Sequence, residues 1–253
     1  MTTFRLRQLG FFARLGVAGI VLTLIGGLIA SAAYVRVHHG KRDGQPGVSM
    51  TDLIGSYHGI DAPAPLLRSM ERGHPEGLPV AERAALIDWL KGDRIAQMYD
   101  DLDLGEMAPA EIIADHCLVC HARRAADKHV IARTIPLDYW DDVSRLSLPL
   151  KIDPPSIDIL IVTTHTHALS LATISGMTFL LLVFTSWSRR LIGALVGVSG
   201  LALLVDIASW WLARLHPGFT YGIVAAGSLW LAFTGLSQLV ILLDLLRPRL
   251  ADR

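Results

Sequence analysis

Cys117-Leu118-Val119-Cys120-His121 sets two thiols three residues apart, with an imidazole directly after the second. That spacing lets two sulfurs hold a porphyrin through thioether bonds while the imidazole takes one axial face of its iron. The chain has no other cysteine, so the motif leaves none for a structural disulfide. A thioredoxin-type redox pair would want a strand–helix–strand setting, and none is visible. Half of a zinc site would want a second Cys/His pair at similar spacing, which is missing. A second chemical group is Thr164-His165-Thr166-His167 together with Asp206, all in apolar surroundings. Ionisable residues inside apolar spans are functional candidates by default. Here they could ligate a b-type haem, contact a quinol or accept a proton. Two residues apart on a helix point about 200° from each other, so His165 and His167 could chelate one ion only from an extended segment. The bland alternatives are interfacial histidines satisfied by water and threonine, and an Asp206 spent on a helix–helix hydrogen bond.

The elements that must position these residues are mostly membrane-spanning. The 253 residues are 52% hydrophobic with a mean hydropathy of +0.44. From Arg36 to Asp158 there are 14 basic and 20 acidic residues, while the rest of the chain holds 9 basic and 3 acidic. The net charge of zero therefore hides an acidic polar island between apolar, basic-flanked segments. Residues 15–35 run 21 residues without a charge, enough to span a hydrocarbon core of about 30 Å. We read them as an uncleaved signal anchor after a short N-terminus, 1–14. The small residues Ala30-Ser31-Ala32 make a cleaved signal peptide the rival reading. Residues 159–188, 191–213 and 218–244 are three further spans, followed by a tail, 245–253. Four spans place both termini on one side, together with Arg5/Arg7/Arg14, Arg189/Arg190 and Arg247/Arg249/Arg253. By the positive-inside rule that side is cytoplasmic, and the 36–158 segment is exported.

Within that segment, Ser49 offers an N-cap for a short helix through Tyr57, and residues 66–77 read as loop. A helix follows Pro79, with apolar residues repeating at helical spacing until Gly92. Residues 93–108 form an acidic connector, and Pro109 opens a helix that runs into the cysteine motif.

The stretch 109–121, PAEIIADHCLVCH, resembles the first helix and haem motif of the class I c-type cytochromes. Residues 70–91, MERGHPEGLPVAERAALIDWLK, resemble that family's methionine loop and last helix, placed before the cysteines rather than after them. The resemblance covers about 40 residues. It implies one covalent haem c bound by Cys117 and Cys120, His121 as proximal iron ligand, an electron-transfer role and a location outside the cytoplasm. After His121 the only methionine is Met177, inside an apolar run. Met70 is thus the choice for the distal ligand, with His58, Met107, His165 and His167 as rivals and a filler of a core gap as the plain reading. Arg123 and Arg124 could pair with haem propionates, Tyr139 and Trp140 could cover a haem edge, and His116 reads as a helix-surface residue.

The expectation is an all-α protein: four transmembrane helices plus an extracytoplasmic class I-like monohaem cytochrome c domain, in the inner membrane of a bacterium with the haem domain in the periplasm. Its partners would be the bilayer and redox proteins, other cytochromes or a larger respiratory complex among them. A quinol-oxidising component using His165, His167 and Asp206, with a quinone or haem b at the membrane edge, is the alternative. A haem-based sensor or assembly factor is the third reading. The polar segment is too acidic for nucleic acid.

Overall fold

The structure, a computed structural model, describes residues 4–43 and 46–248, so Arg249 and Arg253 lie outside the described residues. In chain order the elements are α1 (Phe11–His39), α2 (Met50–Tyr57), β1 (Ile60–Ala62), α3 (Pro65–Glu71), α4 (Val80–Lys91), α5 (Pro109–His116) and α6 (Leu118–His121). Then come α7 (Ile131–Thr134), α8 (Trp140–Ser147), β2 (Leu150–Ile152), α9 (Ile157–Val183), α10 (Arg189–Leu212) and α11 (Phe219–Leu246). They form two units. One comprises the chain up to Gly59 and from Asp153 onward; the other is Ile60–Ile152.

Helices α1, α9, α10 and α11 are long and apolar enough to cross a membrane, which makes this an integral membrane protein. Their bounds shift from the sequence expectation by a few residues. The second span ends at Val183 rather than 188, because Ser188 caps the next helix by accepting from Leu191 N at 3.3 Å. Helix α1 runs on to His39, carrying Arg36 and His38 into its last turn. In the bundle interior small polar side chains bond between helices: Ser199 to Thr234 at 2.7 Å, and Trp230 Nε1 to Ser175 at 2.9 Å. Such side chains allow close helix approach where lipid offers no hydrophobic drive. At Gly222 of α11 a Cβ would stand 2.9 Å from the Ser209 hydroxyl of α10, so the two helices approach closely there and a larger residue would turn that hydroxyl aside.

One end of the bundle gathers Arg5, Arg7, Arg14 and Arg247. Leu6 is buried and its N–H donates to Phe184 O at 2.9 Å. Arg7 donates to the Ser186 hydroxyl at 3.0 Å and lies 3.9 Å from the fully buried Asp244. Arg14 donates to Arg247 O at 2.7 Å, and the Arg247 guanidinium stacks on Trp187 at 4.0 Å.

Two expectations need correction. The 36–158 segment is not one domain, because α2 packs with the membrane helices: His58 Nδ1 donates to Ala213 O at 2.8 Å and Tyr57 lies against Trp210. Nor is the chain purely α, since β1 and β2 pair antiparallel, Ile60 opposite Ile152. In the Ile60–Ile152 unit the core is built from Leu66, Leu67, Met70, Leu86, Trp89, Ile112, Ile113 and Val143. It packs α4 against both α3 and α5. The stretch read as loop contains α3, which starts with Pro65 at its first position, where a missing N–H costs nothing.

Helix α2 rests on Asp52. Its carboxylate accepts from Asp43 N at 2.8 Å and Ser49 N at 2.9 Å, while Ser49 Oγ accepts from Asp52 N at 3.0 Å. Burial alone would raise this carboxyl; the backbone donors of Ser49 and Asp43 outweigh it and hold it below the ordinary range. Such a carboxylate stabilises the fold above about pH 4 and loses that effect as pH falls through its lowered native value. Asp52→Ala should cost about 1–2 kcal/mol at pH 7, with the deficit shrinking below about pH 4, as read by denaturant titration in detergent.

Candidate functional site

The cysteine motif begins where α5 ends. Pro109 takes the first helical position and Glu111 puts negative charge in the first turn. Cys117 caps the helix, its N–H bonded to Ile113 O at 2.9 Å, and α6 is a single further turn bearing Cys120 and His121. His121 is fixed from outside that turn. Its Nδ1 donates to Ile135 O at 2.8 Å, and its carbonyl accepts from Leu137 N at 3.1 Å. A ring nitrogen facing a carbonyl must carry the proton, which leaves Nε2 with a free lone pair. Both cysteines are free thiols.

A second turn faces this one across a cavity of about 110 Å³, lined by Met70, His74, Cys117 and His121 among apolar walls that include Leu66 and Leu137. Cys120 is half-buried and is not part of the lining. The His74 and His121 ring centroids are 6.2 Å apart with planes at 78°. Met70, at 1% exposure, is also packed into the core beside Leu86 and Trp89. The turn is held by Arg83 of α4. Its Nη1 donates to the carbonyls of Met70 and His74, each at 3.1 Å, and its Nη2 to those of Gly73 at 3.2 Å and Pro75 at 2.7 Å. Gly73, with φ +86°, supplies the left-handed residue that lets the chain double back.

The cavity brings together Cys117, His121 and Met70 and adds His74, which sequence reasoning passed over. The available signal was Gly73-His74-Pro75, a histidine between two turn-forming residues four positions after the methionine. The rivals for the distal position do not line the cavity. His58, His165 and His167 belong to the membrane unit, and Met107 lies exposed in a turn of 3₁₀ helix, Leu102–Met107. Other assignments also change. Arg123 makes a two-pronged ion pair with Asp142, both contacts 2.7 Å, which occupies the guanidinium. Trp140 packs on Tyr99 at 4.9 Å, whereas Tyr139 is exposed under Arg123. His116 Nε2 lies 2.6 Å from Glu82 Oε2, tying α5 to α4.

The membrane group separates into two. Asp206, 7% exposed, accepts from Trp210 Nε1 at 3.2 Å and packs on Gly227 of α11. The His167 ring meets Trp210 at 5.2 Å, and Tyr57 meets it at 6.0 Å. His167 Nδ1 donates to Thr163 O at 2.9 Å, so its Nε2 is free to accept. Burial, and then the nearby Asp206 charge, push the Tyr57 phenol up to about 12, keeping it protonated. His165 does not join them. It lies exposed with Thr166, Leu169 and Ser170 on another face of α9, as the helical period requires of neighbours two apart.

Among known proteins, residues 152–252 match the Aq_1264_TM family model, a transmembrane helical domain. The match takes in α9, α10 and α11 and leaves out the unit with the cysteines. No curated protein and no solved structure matches the chain.

Burial, with a smaller effect from Cys120, pushes the Cys117 thiol up to about 11. The thiolate is the reactive form, so the two cysteines should differ sharply. In protein with both thiols free at pH 8.5, iodoacetamide should modify Cys120 roughly tenfold or more faster than Cys117, as followed by peptide mass spectrometry.

Proposed function

We propose that the chain is a membrane-anchored monohaem cytochrome of the c type that passes single electrons at the outer face of a bacterial inner membrane. The observation that carries this reading is the convergence on one cavity of Cys117 and His121 from one turn with Met70 and His74 from another, 43 or more residues earlier in the chain. The donor set fits a haem. Two unpaired thiols sit at thioether spacing, and the imidazole has Nδ1 engaged by a carbonyl so that Nε2 can bind metal. The cavity of about 110 Å³ is below the roughly 300–1,000 Å³ of an ordinary ligand pocket, so a porphyrin would be seated with much of its disc beyond the enclosed space.

Cys117 and Cys120 would hold the group, each thiol adding across a vinyl substituent with its sulfur on one carbon and its hydrogen on the other. His121 Nε2 would take the iron, and the Ile135 carbonyl would keep that ring oriented and more basic. The haem supplies the one-electron chemistry of its iron. Leu66, Ile135, Leu137 and Leu146 line the cavity and would keep water from the iron, which would help set its potential. The Ile60–Ile152 unit carries 16 acidic against 11 basic residues, a surface that would steer a basic redox partner. Arg5, Arg7, Arg14 and Arg247 at one end of the bundle support a cytoplasmic position for both termini.

A second reading, oxidation of a membrane quinol, is favoured by the His167–Trp210–Asp206 cluster. A quinol becoming a quinone releases two protons and two electrons. His167 Nε2 and the Asp206 carboxylate are the available proton acceptors, and the electrons would leave singly to a one-electron carrier.

Replacing both Cys117 and Cys120 by serine should abolish covalent haem, read by peroxidase staining after denaturing electrophoresis and by the pyridine haemochrome. Wild-type protein that lacks covalent haem after expression in a host able to attach it would overturn the proposal. If the quinol reading holds, quinol-dependent haem reduction should fall roughly tenfold or more in His167→Ala and Asp206→Asn but not in His165→Ala, whose ring does not meet Trp210.

A further inference from the structure

We infer that His74 is the second axial ligand of the haem iron, opposite His121, and that Arg83 is the residue that positions it. This rests on the haem reading of the cysteine motif and names a ligand which that motif does not specify.

The geometry is the first ground. Two imidazoles on opposite faces of one metal each place a nitrogen about 2.0–2.1 Å from it, with the ring centre roughly 1.1 Å further on, so the centroids stand about 6.3 Å apart. His74 and His121 stand 6.2 Å apart across the shared cavity. The angle of 78° between the planes is compatible, because each ring turns freely about the metal–nitrogen axis.

The two candidates differ in how they are already employed. Met70 is buried to 1% exposure in the core with Leu86 and Trp89, so turning its sulfur to the iron would cost packing. His74 belongs to no core cluster among the described residues, and its ring nitrogens make no hydrogen bond there. Its backbone, by contrast, is heavily restrained. His74 N donates to Ser69 O at 3.1 Å, and the Arg83 guanidinium binds the carbonyls of residues 70, 73, 74 and 75. A histidine with a fixed backbone and an uncommitted ring is what a ligand turn needs. Two nitrogen ligands also lower the potential relative to a histidine–methionine pair, which places this chain early in an electron-transfer sequence.

The test uses the full-length protein purified from a host that attaches haem covalently, with carbon monoxide as the probe of an open coordination position. Wild-type protein should show covalent haem, the near-infrared magnetic circular dichroism of two nitrogen ligands, and no carbon monoxide binding when reduced. His74→Ala should bind carbon monoxide stoichiometrically, Met70→Leu should keep the wild-type spectrum, and His74→Met should gain the thioether–iron band with a raised midpoint potential. Arg83→Gln should keep its haem but let carbon monoxide bind to part of the reduced protein, and Arg83→Lys should bind less of it than Arg83→Gln. A thioether–iron band in wild-type protein that vanishes in Met70→Leu would overturn the ligand assignment and leave the haem reading intact. A His74→Ala protein that still excludes carbon monoxide would do the same. Wild-type protein without covalent haem would remove both.

Discussion

The packing of α4 between α3 and α5 is the constraint on which the Ile60–Ile152 unit depends. Leu86 and Trp89 of α4 are buried against Ile112 and Ile113 of α5, and Trp89 Nε1 donates to Ile95 O at 2.8 Å, which ties the following connector to the helix. That packing puts the first turn of α4, with Arg83, beside the end of α3. It also places the end of α5, with Cys117, on the other side of the same core. The two turns that line the cavity are brought to it by helices that share one apolar core. Fully burying a Trp and a Leu contributes several kcal/mol, more than any single hydrogen bond in the site. The polar contacts refine positions that the core has already set.

The membrane unit follows another logic. Its helices gain nothing by hiding apolar surface from lipid, and many of their large aliphatic residues face outward. What holds α10 to α11 is close approach at Gly222, the Ser199–Thr234 hydrogen bond and the seating of Asp206 on Gly227. The same rule explains why Asp206 is acceptable there: its partners come from its own helix and from a glycine opposite, so the carboxylate is enclosed by protein.

Much of this was legible in the sequence because the signals were local. The uncharged runs located four spanning helices; Ser49, Pro79 and Pro109 marked helix starts, and the cysteine spacing marked one wall of the site. The contribution of His74 was not legible. It depends on a turn whose conformation is fixed by an arginine nine residues later, and no periodicity reports a guanidinium reaching four carbonyls. The allocation of residues 46–59 was also hidden. Their polarity resembles that of the Ile60–Ile152 unit, and the bond from His58 to Ala213, 155 positions away, with the contact of Tyr57 on Trp210, shows which unit they join. His165 and His167 looked equivalent as letters, and the helical period separated them.

The buried Asp244 has a consequence for biosynthesis. The chain's first turn is sealed to its last helix through Leu6, Arg7 and Arg14, which meet Phe184, Ser186, Asp244 and Arg247. These partners leave the ribosome some 170 to 240 residues after the segment they receive. Helix α1 must therefore enter the bilayer and wait, its docking face unmatched, until α11 has been made. A nascent chain stalled before α11 would be inserted yet unclosed, and so exposed to the quality-control proteases that survey the membrane.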